Sequence, residues 1–358
     1  MQEYGSGNVH DTFLVTVGRA TKGHAHPTGD SPEVSRFILQ RLNTRVFRQP
    51  ETVMANMRTV TEHVRQRLES HPPSIGPRFE LPRVLLTREG GDHWIDPGGS
   101  FWRALSFIGA ARTFDAIQDP GRAREVGYAL GRFHHLVSDL PPDRLADTLP
   151  GFHHTPVYLR HYDEVRAAGG HRPSAAVDYV IKFISSRRTW AAVLEDAKAQ
   201  GHLRVRVIHG DPKVNNVMLD AATGQAVSII DLDTVKPGLV HYDLGDCLRS
   251  ACNPLGEETE NWEGVRFDPD LCRAMLRDYL SQARGFLTGS DYHYFYDAIR
   301  LIAFELGLRF FTDYLEGNVY FKARHPEHNL ARALVQFKLT ESIESQAESI
   351  HSIIGDLR

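Results

Sequence analysis

Apolar residues change their period along the chain, and the changes divide it. In the first third they alternate or run in short blocks. Thr12 to Val17 (TFLVTV), Arg36 to Arg41 (RFILQR) and Trp102 to Ile108 (WRALSFI) read as strands. A helical spacing from Glu51 to Leu68 interrupts them, and Gly18 to Pro32, rich in Gly, Pro, Thr and His, reads as an exposed loop. Asp119-Pro120 is a helix-start pair. Val126, Leu130, Phe133 and Val137 follow at helical period until Pro141-Pro142. Val177, Ile181 and Ile184 mark a second helix. A β-rich island comes next: Arg204 to Ile208, Val217 to Leu219 and Ala226 to Ile230, with Ala221 to Gly224 as a hairpin turn. Beyond it the pattern is helical. One long run covers Asp291 to Glu316 and is closed by Gly317. A stripe of Leu330, Leu334, Phe337, Ile343, Ala347, Ile350 and Ile354 marks a final helix.

The pattern predicts an α+β chain with a small β-rich N-terminal lobe and a large, mainly helical C-terminal lobe. At 358 residues it exceeds one core of ordinary size. The boundary is expected between Ile108 and Asp119, giving lobes of 1–110 and 111–358. Composition changes little: 41% hydrophobic, 24% charged and a formal net charge of -4, with nothing that suggests a nucleic-acid partner. No apolar run approaches the roughly 18 residues of a membrane span. Met1 to His10 do not read as a signal peptide. Cys247, Cys252 and Cys272 are too few and too scattered for a disulfide framework, and read as buried residues in a cytoplasmic, reducing compartment.

Chemistry concentrates in the β-rich island. His209-Gly210-Asp211-Pro212-Lys213-Val214-Asn215-Asn216 fits His-x-Asp-x-x-x-x-Asn, the catalytic loop of phosphoryl-transfer enzymes. Ile229-Ile230-Asp231 puts a second aspartate at the end of an apolar strand. Phosphoryl transfer needs an acceptor hydroxyl held in line with the γ-phosphate of ATP, and cations that neutralise the phosphate oxygens. Asp211 is the expected base. Asn216 and Asp231 are the expected Mg²⁺ ligands, both offering hard oxygen. Lys213 can reach the transferring phosphate as a point charge. His209 reads as a support for the loop, and Asp243 as a brace rather than a ligand. Asp233 is either a supporting acid or a surface residue. Near the start, Gly5 and Gly7 could let backbone N–H groups approach phosphates. The adenine site is expected at Ser106, Phe107 and Ile108, where strands give way to helices.

The HGDPKVNN and IIDLD segments resemble the aminoglycoside phosphotransferase and choline kinase superfamily, which implies a two-lobed protein-kinase-like fold. FILQRLNTRVF, GFHHTPVYL, YDLGDCLR and RFFTDYLEGNVYFKARHPEHNLAR narrow the resemblance to bacterial N-acetylhexosamine 1-kinases, across roughly Tyr4 to Ile350. The resemblance implies ATP- and Mg²⁺-dependent phosphorylation of the C1 hydroxyl of N-acetylglucosamine or N-acetylgalactosamine. It places sugar contacts at Arg309 and Tyr320. Asn8 stands where family members can carry a histidine near the sugar. Glu305, Arg309 and Asp313 recur at i, i+4, so the arginine is expected between two carboxylates on one helix face.

Two departures from the family pattern stand out. The usual strand lysine is replaced by Gln40 beside Arg41, leaving no assigned phosphate-binding cation. The chain also reaches its glycines within a few residues of Met1, where the family has a leading helix and strand. These departures motivate a competing reading as a pseudokinase. Another sugar or an aminoglycoside as acceptor is a further reading, against which Arg300 and Arg309 would repel a polycation.

Overall fold

The computed structural model describes residues 1–4, 9–18, 34–70, 78–169 and 173–358. The strands expected in the first third form one antiparallel sheet. β1 (Gln2–Glu3), β2 (Asp11–Gly18) and β3 (Val34–Arg41) pair in turn, and α1 (Pro50–Ser70) follows. β4 (Val84–Leu85), β5 (Trp94–Ile95) and β6 (Phe101–Ser106) complete it in the order β1-β2-β3-β6-β4, with β5 against β6. The register sets Thr12 opposite Gln40 and Gln40 opposite Arg103, a row across three strands. The helix expected around Glu51 to Leu68 buries Val53, Met57, Val60 and Val64 along one stripe. The loop expected from Gly18 to Pro32 lies outside the described residues, apart from Gly18.

The rest is mainly helical. After β7 (Ala111–Arg112) come α2 (Pro120–Val137), α3 (Thr155–Ala168), α4 (Ala175–Arg187) and α5 (Val193–Ala199). Asp119 caps α2 by accepting from the Arg122 backbone N–H at 2.9 Å, and Pro120 takes the first turn, where its missing N–H costs nothing. The β-rich island comprises β8 (Arg206–Ile208), β9 (Val217–Asp220), β10 (Ala226–Ile229) and β11 (Lys236–Gly238). β9 and β10 form the expected hairpin, β7 adds to its β9 edge, and β8 pairs with β11. The chain ends with α6 (Val240–Ala251), α7 (Pro269–Ala283), α8 (Gly289–His293), α9 (Phe295–Leu315), α10 (His328–Ser345) and α11 (Ala347–Leu357).

Two expected long helices are each broken in two. Asp291 does not continue into α9. Its carboxylate accepts from the Thr288 N–H (2.7 Å) in a capping box that starts α8, and the chain re-starts after Tyr294. The final stripe breaks at Gln346, whose side chain donates to the Phe267 carbonyl at 2.8 Å.

α9 is apolar almost all round and packs against α3, α6 and α10, as a helix buried on every side must. α2 and α7 approach backbone to backbone. A Cβ added at Gly127 would lie 2.1 Å from the Met275 carbonyl oxygen, and one at Gly131 would lie 2.5 Å from that of Tyr279. All three cysteines are buried and free, Cys272 as well as Cys247 and Cys252.

Candidate active site

The segment after β8 is held from behind. Asp243, on α6, accepts from the backbone N–H of His209 (2.6 Å) and of Gly210 (2.8 Å), and pairs with His134 of α2 at 2.8 Å. It is the brace expected from sequence. His209 is the expected support. Its Nε2 donates to the Ile230 carbonyl (2.9 Å), while its Nδ1 accepts from the Asp211 N–H (3.2 Å). Gly210 has φ +89°, and a Cβ there would sit 2.5 Å from the Thr234 carbonyl oxygen. Only glycine fits that left-handed, crowded turn.

The turn delivers Asp211 into a cleft of about 1290 Å³. Lys213 Nζ lies 2.9 Å from the Asp211 carboxylate, so the structure brings the lysine to the candidate base itself. Burial alone would raise the carboxyl pKa, but Lys213 outweighs it and holds Asp211 below the usual range. Asn216 donates from Nδ2 to the Asp211 carbonyl oxygen (2.7 Å) and carboxylate (3.2 Å), which leaves its amide oxygen for another partner. Asp231 enters the cleft from the end of β10, at φ +65°. Burial and the like charges of Asp233 and Asp211 push its pKa up. Carboxylates that repel one another beside an amide oxygen fit a hard divalent cation, with Asn216 and Asp231 able to hold it.

His10, Asp231 and Asp233 also present ligand-type atoms within 4.8 Å of one another. Two of the three are already engaged. The Asn43 backbone N–H donates to His10 Nδ1 (3.1 Å), so Nε2 carries the proton and donates to Asp233 at 2.6 Å. Asp233 is buried and also grips the Arg103 guanidinium with both oxygens. It is therefore a supporting acid, not a surface residue, and of the three only Asp231 remains to bind a metal.

The far end of the cleft carries Arg309 and Tyr320. The expected ladder of Glu305, Arg309 and Asp313 does not form. Glu305 turns inward, to His153 (2.9 Å) and Thr155 (2.7 Å). Asp313 accepts from the backbone N–H of Tyr320 (2.6 Å) and Phe321 (3.0 Å) and from Asn329 (2.9 Å), pinning the loop after α9, so its carboxylate is no part of the cleft wall. Arg309 instead lies among the rings of Phe152 and Tyr158 (both 5.1 Å), Phe321 (5.4 Å) and Tyr320 (5.9 Å). Among the described residues no carboxylate pairs with it.

Of the other expected contacts, Gly5, Gly7 and Asn8 lie outside the described residues. Ser106 is bonded to Arg83, donating its N–H to the Arg83 carbonyl (2.8 Å) and accepting from the Arg83 N–H (2.9 Å). Phe107 meets Tyr4 edge-on, and Ile108 is buried with Met218 and Val227. Three groups escaped the sequence reading. Arg103 on β6 and His10 just before β2 meet Asp233 from distant parts of the chain. His153, at φ +63°, bridges Glu305 and the Gly210 carbonyl (2.7 Å). GFHHTPVYL drew attention to that segment, but no spacing marks its histidine.

The sequence model of the phosphotransferase enzyme family matches residues 2–286. The chain belongs to this family. Among solved structures, this phosphotransferase is similar to the microcompartment-associated aminopropanol kinase (TM-score 0.59, 15% identity, covering 98% of this chain and 93% of that one). It is also similar to choline kinase from Cryptosporidium parvum (0.57, 12%, 99% and 90%). The GDP complex of aminoglycoside 2'-phosphotransferase-IIIa is a further likeness (0.50, 11%, 99% and 92%). At such identities the likeness is one of fold, and the fold is bilobal and protein-kinase-like, as expected from sequence.

Proposed function

We propose that this phosphotransferase is an ATP- and Mg²⁺-dependent anomeric kinase that phosphorylates the C1 hydroxyl of N-acetylglucosamine or N-acetylgalactosamine. The observation that carries the reading is the layout of one cleft. Asp211, Asn216 and Asp231 stand at one end, and an unpaired guanidinium among aromatic rings stands at the other. Aromatic faces suit the apolar face of a sugar ring, and the Arg309 N–H donors suit its hydroxyls or an acetamido carbonyl. The family resemblance read from the sequence supports the same substrate.

In this reading the Asp211 carboxylate accepts a hydrogen bond from the C1 hydroxyl and takes its proton as the oxygen attacks the γ-phosphorus in line, the bond from that phosphorus to the β,γ-bridging oxygen breaking to release ADP. Lys213 balances the carboxylate's charge beside the incoming phosphate. Mg²⁺, when bound at Asn216 and Asp231, supplies charge neutralisation on the phosphate oxygens. The Ser106 N–H is already used, so adenine would meet Phe107 and Ile108, with Ile108, Met218 and Val227 as an apolar wall. Of the two arginines expected to repel a polycationic aminoglycoside, Arg309 lines the cleft, while Arg300 pairs with Asp297 outside it and Glu257 and Glu327 add acidic groups to the lining.

The test is a coupled assay with MgATP against N-acetylglucosamine, N-acetylgalactosamine, glucose, galactose and kanamycin, with the phosphate position read by ³¹P NMR. A C1 phosphate on an N-acetylhexosamine is expected. Turnover of kanamycin alone would move the acceptor class, and no turnover at all would favour the pseudokinase. Asp211→Asn should lower kcat by orders of magnitude and leave ATP affinity within a few-fold; unchanged turnover would remove Asp211 as the base.

A further inference from the structure

The sheet lacks the strand lysine that usually faces the nucleotide, yet it does bury a cation. Among the described residues, Arg103 is the one buried cation of the sheet. Its guanidinium is oriented from two sides. Nε and Nη2 donate to Gln40 Oε1 (2.9 and 2.7 Å), and Nη1 and Nη2 take both oxygens of Asp233. Gln40 is itself fixed, its Nε2 donating to Thr12 Oγ1 at 3.1 Å. The row Thr12–Gln40–Arg103 thus ends on the loop that carries Asp231. His10 adds a third donor to Asp233, and Met54 and Met57 of α1 close over the guanidinium.

The loop leads onward. Asp233 lies two residues after Asp231, which takes a left-handed conformation uncommon for a non-glycine residue, though aspartate is among those that adopt it most readily. Thr234 donates to the His209 carbonyl at 2.8 Å, and its own carbonyl backs Gly210. We propose that the Arg103–Asp233 pair is a positioning device, by which the sheet fixes Asp231 as a metal ligand. The proposal rests on the kinase reading above and deepens it. In place of a strand cation directed at the nucleotide, the sheet directs its cation at the metal-binding loop. A bidentate arginine–carboxylate pair is suited to this, because two parallel bonds fix direction as well as distance.

The test measures Mn²⁺ binding in the presence of ATP, by the EPR signal of free Mn²⁺, in the full-length protein and in Asp233→Asn and Gln40→Ala. No acceptor is needed. The Mn²⁺ dissociation constant is expected to rise at least fivefold in Asp233→Asn and at least twofold in Gln40→Ala. In Mg²⁺-dependent turnover the activation constant should rise in parallel, while kcat at saturating Mg²⁺ and the acceptor KM stay within about threefold of wild type. A merely structural role would lower the active fraction and leave the metal constants alone. Arg41→Gln, on the opposite face of the sheet beside Asp11, should leave Mn²⁺ binding unchanged. If Asp233→Asn does not fold, Gln40→Ala decides alone, since it leaves the ion pair in place. Metal constants unchanged in the folded variants would overturn the proposal. A wild-type protein that binds no Mn²⁺ with ATP would overturn the kinase reading itself, which is a different failure.

Discussion

Asp243 stands directly behind His209, taking its backbone N–H at 2.6 Å and the next one, from Gly210, at 2.8 Å. Two neighbouring amides share one buried carboxylate, and the segment that bears Asp211 hangs from it. Burial opposes the charge on Asp243, but His134 and the amides outweigh it and keep its pKa below the usual range. Asp243→Ala would leave two buried N–H groups and His134 without their acceptor. The expected cost is about 3–5 kcal/mol of stability, measured by urea unfolding. A loss under 1 kcal/mol would mean the amides find water instead.

Arg309 pairs with no carboxylate among the described residues, and it is kept charged. Burial works against the charge, while Tyr158, Tyr320 and Glu305 favour it. Arg309→Ala should raise the acceptor KM at least tenfold and leave the ATP KM within twofold. Arg309→Lys should recover only part of the loss, because a lysine keeps the charge but not the planar fork. An acceptor KM untouched by Arg309→Ala would remove the arginine from the acceptor wall.

His241, on α6, is a buried histidine with an unused Nδ1. Its Nε2 donates to the Asp291 carbonyl at 2.9 Å. Burial pushes its pKa from 6.5 down to about 4, and the bond to Asp291 offsets only part of that. The unfolded chain therefore binds the proton first as pH falls. The native state is fully favoured above pH 6.5 and loses stability as pH drops from 6.5 to about 4, by on the order of 3 kcal/mol in all. Urea titrations at several pH values check the slope, and His241→Gln should flatten it. A wild-type stability that does not change across that window would show His241 titrating normally.

Gly127→Ala and Gly355→Ala make the same chemical change with opposite expected signs. At Gly127 the new methyl would press into the Met275 carbonyl of α7, and rigid backbone cannot yield as a side-chain tip can. A loss of about 3 kcal/mol or more is expected. At Gly355, on α11, nothing lies within 4 Å, and alanine should stabilise by about 0.4–1 kcal/mol. Thermal melts of the two variants compare them directly.

The grouping of the candidate site residues was legible where it is local. His209, Asp211, Asn216 and Asp231 lie within one short stretch, and phosphoryl transfer constrains their spacing. Even the brace at Asp243 could be named from its place at a helix start. Partnerships across the chain were not legible. Arg103 and Asp233 are 130 residues apart, and nothing in either neighbourhood names the other. On α9 the i, i+4 spacing said that Glu305, Arg309 and Asp313 could touch. It did not say that a histidine and a pair of loop amides would compete for the two carboxylates and win. The helix breaks at Tyr294 and Gln346 carry neither proline nor glycine. The start of α8 is set by the local Thr288–Asp291 capping box, a signal the periodicity masked, whereas the break at Gln346 comes with its bond to the Phe267 carbonyl, a tertiary choice.

Glu305, Arg309 and Asp313 of α9 turn out to have separate employers, one turn apart. Glu305 serves the loop that carries Asp211, Arg309 faces the cleft, and Asp313 anchors residues 316–326, where Val319 and Tyr320 stand exposed. A helix advances about 1.5 Å per residue and does not stretch, so α9 acts as a ruler fixed at the end where the Asp211 loop hangs. A longer or bulkier acceptor cannot be admitted by sliding along it. It must be admitted by remodelling the strap beyond Asp313, which is largely open to solvent. Changes of substrate on this scaffold, in nature or in the laboratory, should therefore accumulate as replacements of that strap, with the graduated helix beneath it left as it is.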